Sequence, residues 1–268
     1  RNAFLRLMSS SSVARHLTRY MARIVRLGVA APFDLSGGAA VPFDLSAAPF
    51  DVAVSAAAAS LAAGGIVAVP SDTLYGVVAR LEFADRLYEL KKRSCLKPLG
   101  LFLADAQDAH EWAHVTVSDS LLARLLPGPV TLIFERAPAL PAAFNPDTDK
   151  IGIRVPDCAF VRALSRAAAA PLAQTSANTS GATLNPTRVE HFKDIHEGID
   201  LIIDAGPIEV YGGVAAQGKG GGDSRGEGST IVDLSKVGFY RILRDGCALK
   251  STVAKLVEAG LRCEEQEL

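Results

Sequence analysis

Cysteine is sparse in this chain of 268 residues, and the few that occur do not fall into a pattern. Cys95, Cys158, Cys247 and Cys263 stand far apart, with no C-x-x-C pair and no histidine at ligand spacing. That excludes a recognisable zinc motif and a disulfide framework, and fits a reducing compartment. Histidine is also scarce: His16, His110, His114, His191 and His196 read as surface or helix residues. None stands in a triad-like context and no G-x-S-x-G elbow occurs, so nothing indicates a serine hydrolase. Residues 52–70 lack charge altogether, yet the run is mostly alanine and is broken by Gly64-Gly65 and Pro70. It predicts a helix, a turn and a strand, and no integral membrane span is expected.

Acid is missing from the first 26 residues, which carry six arginines. Arg15, Arg19, Arg23 and Arg26 fall about one helical turn apart in a serine-rich segment, the marks of a mitochondrial transit peptide over residues 1–30; a solvated basic helix belonging to the fold is the alternative. Without those six arginines the chain, at −1 overall, carries −7. That sign disfavours a sequence-independent grip on nucleic acid. Residues 31–52 repeat PFDLS and PFD among Pro, Gly and Ala, as a low-complexity linker does.

A hydrophobic fraction of 49% is ample for a core. From residue 53 the pattern predicts helices at 53–63, 86–92, 118–126, 158–168 and 186–193. Strands are predicted in GIVAVP, LGLFLA, VTLIFE, IGIRVP, PLAQTSA, DLIIDA, STIVDL and YRILRDG. Strands near 130 and 151, and the closing pair, read as antiparallel neighbours. The expected class is α/β, with a twisted mixed sheet and flanking helices.

Polar residues recur at the strand ends: Ser71-Asp72-Thr73, Arg154, Thr175-Ser176-Asn178, Ser229-Thr230 and Arg244. In open α/β sheets such ends share one ligand site. In SDTLYG the hydroxyls of Ser71 and Thr73 are expected to face the cavity while Tyr75-Gly76 lets the chain fold back; an Asx turn made by Asp72 serves locally as well. KKRSCLKP places Lys91, Lys92, Arg93 and Lys97 ahead of an apolar strand, either as an anion clamp or as cations complementing a helix end. In QTSANTSGATLNPT, backbone N–H groups and hydroxyls can converge on an anion. Pro127-Gly128-Pro129 reads as architecture. The glycine-dense run 211–230 fits neither G-x-x-x-x-G-K-[ST] nor G-x-G-x-x-G.

Taken in order, GGIVAVPSDTLYGV, LKKRSCLKPLGLFLAD, LLPGPVTLIFE, IGIRVPD, PLAQTSANTSG, GSTIVDLS and ILRDGCAL resemble the YrdC-type threonylcarbamoyl-AMP synthase family. The resemblance runs over 53–250 and implies a single catalytic domain there, with a basic cavity and 251–268 as a C-terminal tail. It implies a nucleotidyltransferase that makes L-threonylcarbamoyladenylate and pyrophosphate from L-threonine, bicarbonate and ATP with Mg²⁺. A downstream threonylcarbamoyl-transferase complex then modifies the adenosine beside the tRNA anticodon, so tRNA is an indirect partner. Thr73, Arg154 and Ser229 are implied to hold threonine. Lys91, Arg93, Lys97, Lys150, Ser176, Asn185 and Arg244 are implied to bind ATP, with Arg93 and Lys97 at the centre of the chemistry. Where some relatives have a polar side chain facing threonine, this chain has Phe102. The leader and the resemblance together imply mitochondrion and cytoplasm. An RNA-binding module of the same fold is the competing reading; the −7 remainder and the lack of aromatics interleaved with Lys or Arg weigh against it.

Overall fold

The computed structural model of the chain describes residues 24–26, 49–91, 97–179, 182, 184–208 and 228–264. Most of the transit-peptide and linker readings, the position of Arg93 and most of the glycine-dense run lie outside the described residues.

The first helix, α1 (Phe50–Ala62), is alanine-rich, and Ala53, Val54, Ala57 and Leu61 form its buried stripe. It ends where Gly64 takes a φ of +82°. Strand β2 (Val67–Val69) follows, then a turn and β3 (Gly76–Arg80), which runs back antiparallel to β2 with Val69 opposite Gly76. The expected reversal at Tyr75-Gly76 is therefore a hairpin. Its second strand was not expected, because GVVAR is buried on both faces and shows no alternation.

The chain continues through α2 (Asp85–Lys91), β4 (Gly100–Phe102), the short α3 (Ala109–Trp112), β5 (Ala113–His114), α4 (Asp119–Leu125), β6 (Val130–Arg136) and β7 (Lys150–Arg154). Then come α5 (Ala159–Ala168), β8 (Leu172–Ser176), β9 (Leu201–Asp204), β10 (Thr230–Asp233), β11 (Phe239–Arg244), α6 (Leu249–Glu258) and β12 (Arg262–Cys263). Between β8 and β9, where a helix is expected, lies a 3₁₀ stretch, Val189–Gly198, broken by the non-helical Phe192. Ordered elements thus run past residue 250, where the sequence reading begins a tail: Leu256 of α6 is fully buried. At the other end Ile24–Arg26 forms β1, paired parallel with β9.

The strands form one mixed sheet in the order β1-β9-β2-β3-β8-β4-β7-β6-β10-β11-β12, with β5 on the side of β6. The pairs β6–β7 and β10–β11 are antiparallel, as expected. One face is covered throughout: Ala68, Val77, Leu101, Ala173, Ile153, Leu132 and Val232 pack there with Leu87, Leu122, Phe192 and Leu256 from the helical layer. Among the described residues the opposite face is covered over only part of its width, where α1 and α5 pack on Val67, Val69, Val78, Phe102 and Leu172. Beyond β4 the register places Gly100, Gly152, Gln174, Ile133 and Ile231 on this second face, all half-buried. Among the described residues no helix covers this part, and the two glycines make a low floor on which the Gln174 amide lies over Gly100 and the Thr131 methyl beside Gly152. Among the described residues no helix is long and apolar enough to cross a membrane.

Asn145 fastens the entry of β4. Its Oδ1 accepts from Leu99 N–H at 3.0 Å and from the Tyr88 hydroxyl at 2.8 Å, and its Nδ2 donates to the Leu99 carbonyl at 2.8 Å. The residue has a φ of +50°, which asparagine tolerates better than most side chains. Asn145→Ala strands both Leu99 backbone groups, at about 1–3 kcal/mol for each buried unsatisfied group. A loss on the order of 3 kcal/mol is expected from urea unfolding midpoints.

Candidate active site

The turn between β2 and β3 is built by Ser71. Its hydroxyl donates to the Leu74 carbonyl at 2.6 Å and accepts from the Thr73 and Leu74 N–H groups, both at 3.2 Å. The turn is therefore an ST turn, and the Ser71 hydroxyl is spent on the backbone instead of facing a ligand. Tyr75 anchors the exit, donating to the Gly206 carbonyl at 2.7 Å and accepting from Ala205 N–H at 2.9 Å. Burial raises its pKa, so it stays a phenol.

With Ser71 making the turn, Asp72 does not form an Asx turn. One carboxylate oxygen is ion-paired with Arg154 Nη2, and the other accepts from Asp157 N–H at 3.0 Å. Arg154 Nη2 also donates to Thr73 Oγ1 at 2.8 Å, and the Phe102 ring centroid lies 5.6 Å from the guanidinium carbon. Phe102 thus supports Arg154 through its ring face. Arg154 is 6% exposed, and its Nε has no hydrogen-bond partner among the described residues. An orphaned buried N–H of this kind calls for an acceptor from outside. Behind the pair, burial pushes the Cys158 thiol up to about 12, so it is no thiolate nucleophile.

Register carries this group across the sheet to Ser229 and Arg244. Arg154 on β7 and Thr131 on β6 share the open face, and Thr131 Oγ1 lies 2.8 Å from Ser229 Oγ. Arg244 clasps the Ser229 carbonyl through Nε at 3.0 Å and Nη2 at 2.8 Å, and reaches Ser229 Oγ at 3.1 Å. Burial and then the nearby Arg154 lower the Arg244 pKa, so the two guanidiniums feel each other.

On the other side, Gly76 pairs with Ser176, and Ala177 N–H donates to the Tyr75 carbonyl at 2.9 Å. Here Lys91, at the end of α2, is 3% exposed. Its ammonium donates to the Ser176 carbonyl at 2.6 Å, to Thr175 Oγ1 and Ser176 Oγ at 3.2 Å, and to Asn178 Oδ1 at 3.3 Å. The Ser176 hydroxyl in turn donates to Asn178 Oδ1 at 2.6 Å.

The structure therefore joins Thr73, Arg154, Ser229 and Arg244 into one group, and Lys91 with Ser176 into its neighbour. Lys97 is exposed just ahead of β4. Lys150 sits at the rim, paired with Asp233 at 2.8 Å. Burial disfavours the Asp233 carboxylate, yet hydrogen bonds from Lys150 and Ser235 hold its pKa below the ordinary value. Asn185 is exposed, and it is the neighbouring Pro186 carbonyl that accepts from Tyr75 N–H at 2.7 Å. Pro127-Gly128-Pro129 is architecture: Gly128 N–H donates to Val155 and the Pro129 carbonyl accepts from Thr230 N–H. Asp72 and Gln174 were missed as site residues. For Asp72 a signal existed, since an acid in an apolar turn needs a buried cation.

This arrangement recurs in known proteins. Residues 59–246 match the Sua5/YciO/YrdC family model, described as telomere recombination. The chain belongs to the Sua5/YciO/YrdC family. A Bos taurus threonylcarbamoyl-AMP synthase is 45% identical over 212 residues, covering 78% of this chain and 73% of the relative. The Homo sapiens threonylcarbamoyl-AMP synthase is 44% identical over 207 residues, covering 76% and 71%. Among solved structures, P. abyssi Sua5 complexed with L-threonine matches 90% of this chain with a TM-score of 0.66 at 22% identity. The match spans 62% of that longer chain, and at this identity it establishes the Sua5/YciO/YrdC fold.

Proposed function

We propose that this protein is a threonylcarbamoyl-AMP synthase, a nucleotidyltransferase that joins L-threonine, bicarbonate and ATP. The observation that carries the reading is Arg154: a buried guanidinium whose Nε has no partner among the described residues, beside the Thr73 hydroxyl, on a sheet face floored by glycine. Such a group suits the carboxylate of a small amino acid. The mammalian relatives at 45% and 44% identity carry the same name.

In this reading Thr73, Arg154 and Ser229 receive threonine. Lys91, Arg93, Lys97, Ser176 and Arg244 receive ATP and its phosphates, with Lys150 and Asn185 at the rim, and the open face is the basic cavity. ATP enters as its magnesium complex, so Mg²⁺ belongs to the substrate. The threonine amine and bicarbonate form a carbamate with loss of water. A carbamate oxygen then attacks the α-phosphorus and pyrophosphate leaves. Alignment and charge neutralisation dominate such a step, consistent with the site's cations and hydroxyls and the absence of any invoked base.

The product is an activated acyl donor for a separate threonylcarbamoyl-transferase complex acting on tRNA. We place the protein in mitochondrion and cytoplasm, a reading supported by the acid-free, arginine-spaced segment over residues 1–30. The full chain is tested for pyrophosphate release with MgATP, comparing threonine with serine and with no amino acid, and with and without bicarbonate. Release that needs both threonine and bicarbonate is expected. ATP binding with no threonine-dependent release would overturn the reading.

A further inference from the structure

The geometry points to Asp72 as a positioning residue that sets the direction of Arg154, an inference that rests on the threonine reading of the site. The two residues are 82 positions apart in sequence, and both are almost fully buried. Asp72 uses both carboxylate oxygens: one on Arg154 Nη2, the other on Asp157 N–H just past β7. It thereby ties the β2–β3 turn to the segment leading into α5.

Arg154 has few other restraints. Thr73 Oγ1 shares the same Nη2, Phe102 lies against the guanidinium, and Nε has no partner among the described residues. Occupying Nη2 from the turn side fixes the plane of the fork that the incoming carboxylate meets. Planar guanidinium recognition depends on that direction. Asp72 also offsets one of the two cations, Arg154 and Arg244, that sense each other at this end of the sheet.

Asp72→Asn keeps the shape and removes the charge. Two effects on threonine affinity then oppose each other: Arg154 is held less firmly, and repulsion between Asp72 and the substrate carboxylate disappears. Affinity is expected to change little, and the loss to fall on kcat, because a misdirected fork places the amine wrongly for carbamate formation and attack. Misplacement on the order of 1 Å lowers rates about 10²-fold.

The experiment measures threonine binding by calorimetry, with stoichiometry, and pyrophosphate release by the full chain, for wild type, Asp72→Asn, Arg154→Lys and the double variant. Expected are one threonine per chain for Asp72→Asn, an affinity within about three-fold of wild type, and a kcat lower by about 10²-fold. The effect should be non-additive with Arg154→Lys. Unchanged kcat overturns the inference. If Asp72→Asn does not fold, Asp72→Glu carries the same test with the charge kept and the reach changed. A wild type that binds no threonine fails earlier, at the function itself.

Discussion

Lys91→Met is expected to lower threonine-dependent pyrophosphate release by about 10²–10³-fold while the chain still folds. The expected split between activity and stability follows from the hydrogen bonds. An ammonium has three protons, and Lys91 meets four acceptors on Thr175, Ser176 and Asn178. Removing it leaves the two hydroxyls able to find other partners, since Ser176 already donates to Asn178 at 2.6 Å. Only the Ser176 carbonyl loses a donor outright, which is worth about 1–3 kcal/mol. Methionine refills the apolar stem's volume. The catalytic loss is larger, because an ammonium held in place by four acceptors is a preorganised charge that an anionic oxygen can share without reorganisation. Pyrophosphate release and a thermal melt on the same preparation check both halves. A variant with wild-type turnover would reduce Lys91 to a structural cation.

Lys91 also shows what could be read from the sequence. It was visible as one of a run of cations at a helix end, and the motif resemblance attached it to ATP. That it is buried among Ser176 and Asn178 was not visible, because those residues lie more than eighty positions away and converge only through the β3–β8 pairing. The strands were legible where apolar runs ended at turn residues, as in VTLIFE and DLIIDA. β3 was not, because a strand buried on both faces gives no period-two signal. Ile24–Arg26 lay inside a convincing helical arginine spacing, yet three residues suffice to add an edge strand to β9.

The site was harder to read than the fold for the same reason. Thr73, Arg154 and Ser229 could be named from their motifs, but not the pairings that decide what they do. Asp72 looked like a local turn former until its partner appeared on β7, and the Lys150–Asp233 pair, which spans β6 from β7 to β10, could not be read from the motif that attached Lys150 to ATP. Gly100 and Gly152 look like weak points in two strands. Only the parallel β4–β7 register, which sets them opposite each other, makes them a floor.

Gly246→Ala is expected to lower threonine-dependent turnover about 10²-fold and to destabilise the protein by about 1–3 kcal/mol. A methyl carbon on Gly246 would lie 2.5 Å from the Gly228 carbonyl oxygen and closer still to the Ser229 carbonyl carbon and the Thr230 nitrogen. All three are backbone atoms, so no side chain can swing away and the strand entry itself must move. Ser229 is the residue that moves, and its hydroxyl is matched to Thr131 at 2.8 Å while its carbonyl is clasped by Arg244. A shift there displaces the Ser229 hydroxyl and the Arg244 guanidinium together. Destabilisation alone would not do this, and Gly260→Ala separates the two effects. Gly260 has a φ of +83° with nothing near its absent side chain, so alanine there adds only backbone strain of about 1–2 kcal/mol, away from the site. If both variants melt earlier but only Gly246→Ala loses turnover, the close approach of Gly246 to residues 228–230 is what holds Ser229 in register. Equal turnover in the two would mean that the Ser229–Arg244 clasp survives displacement, and that threonine is held by Arg154 and Thr73 alone.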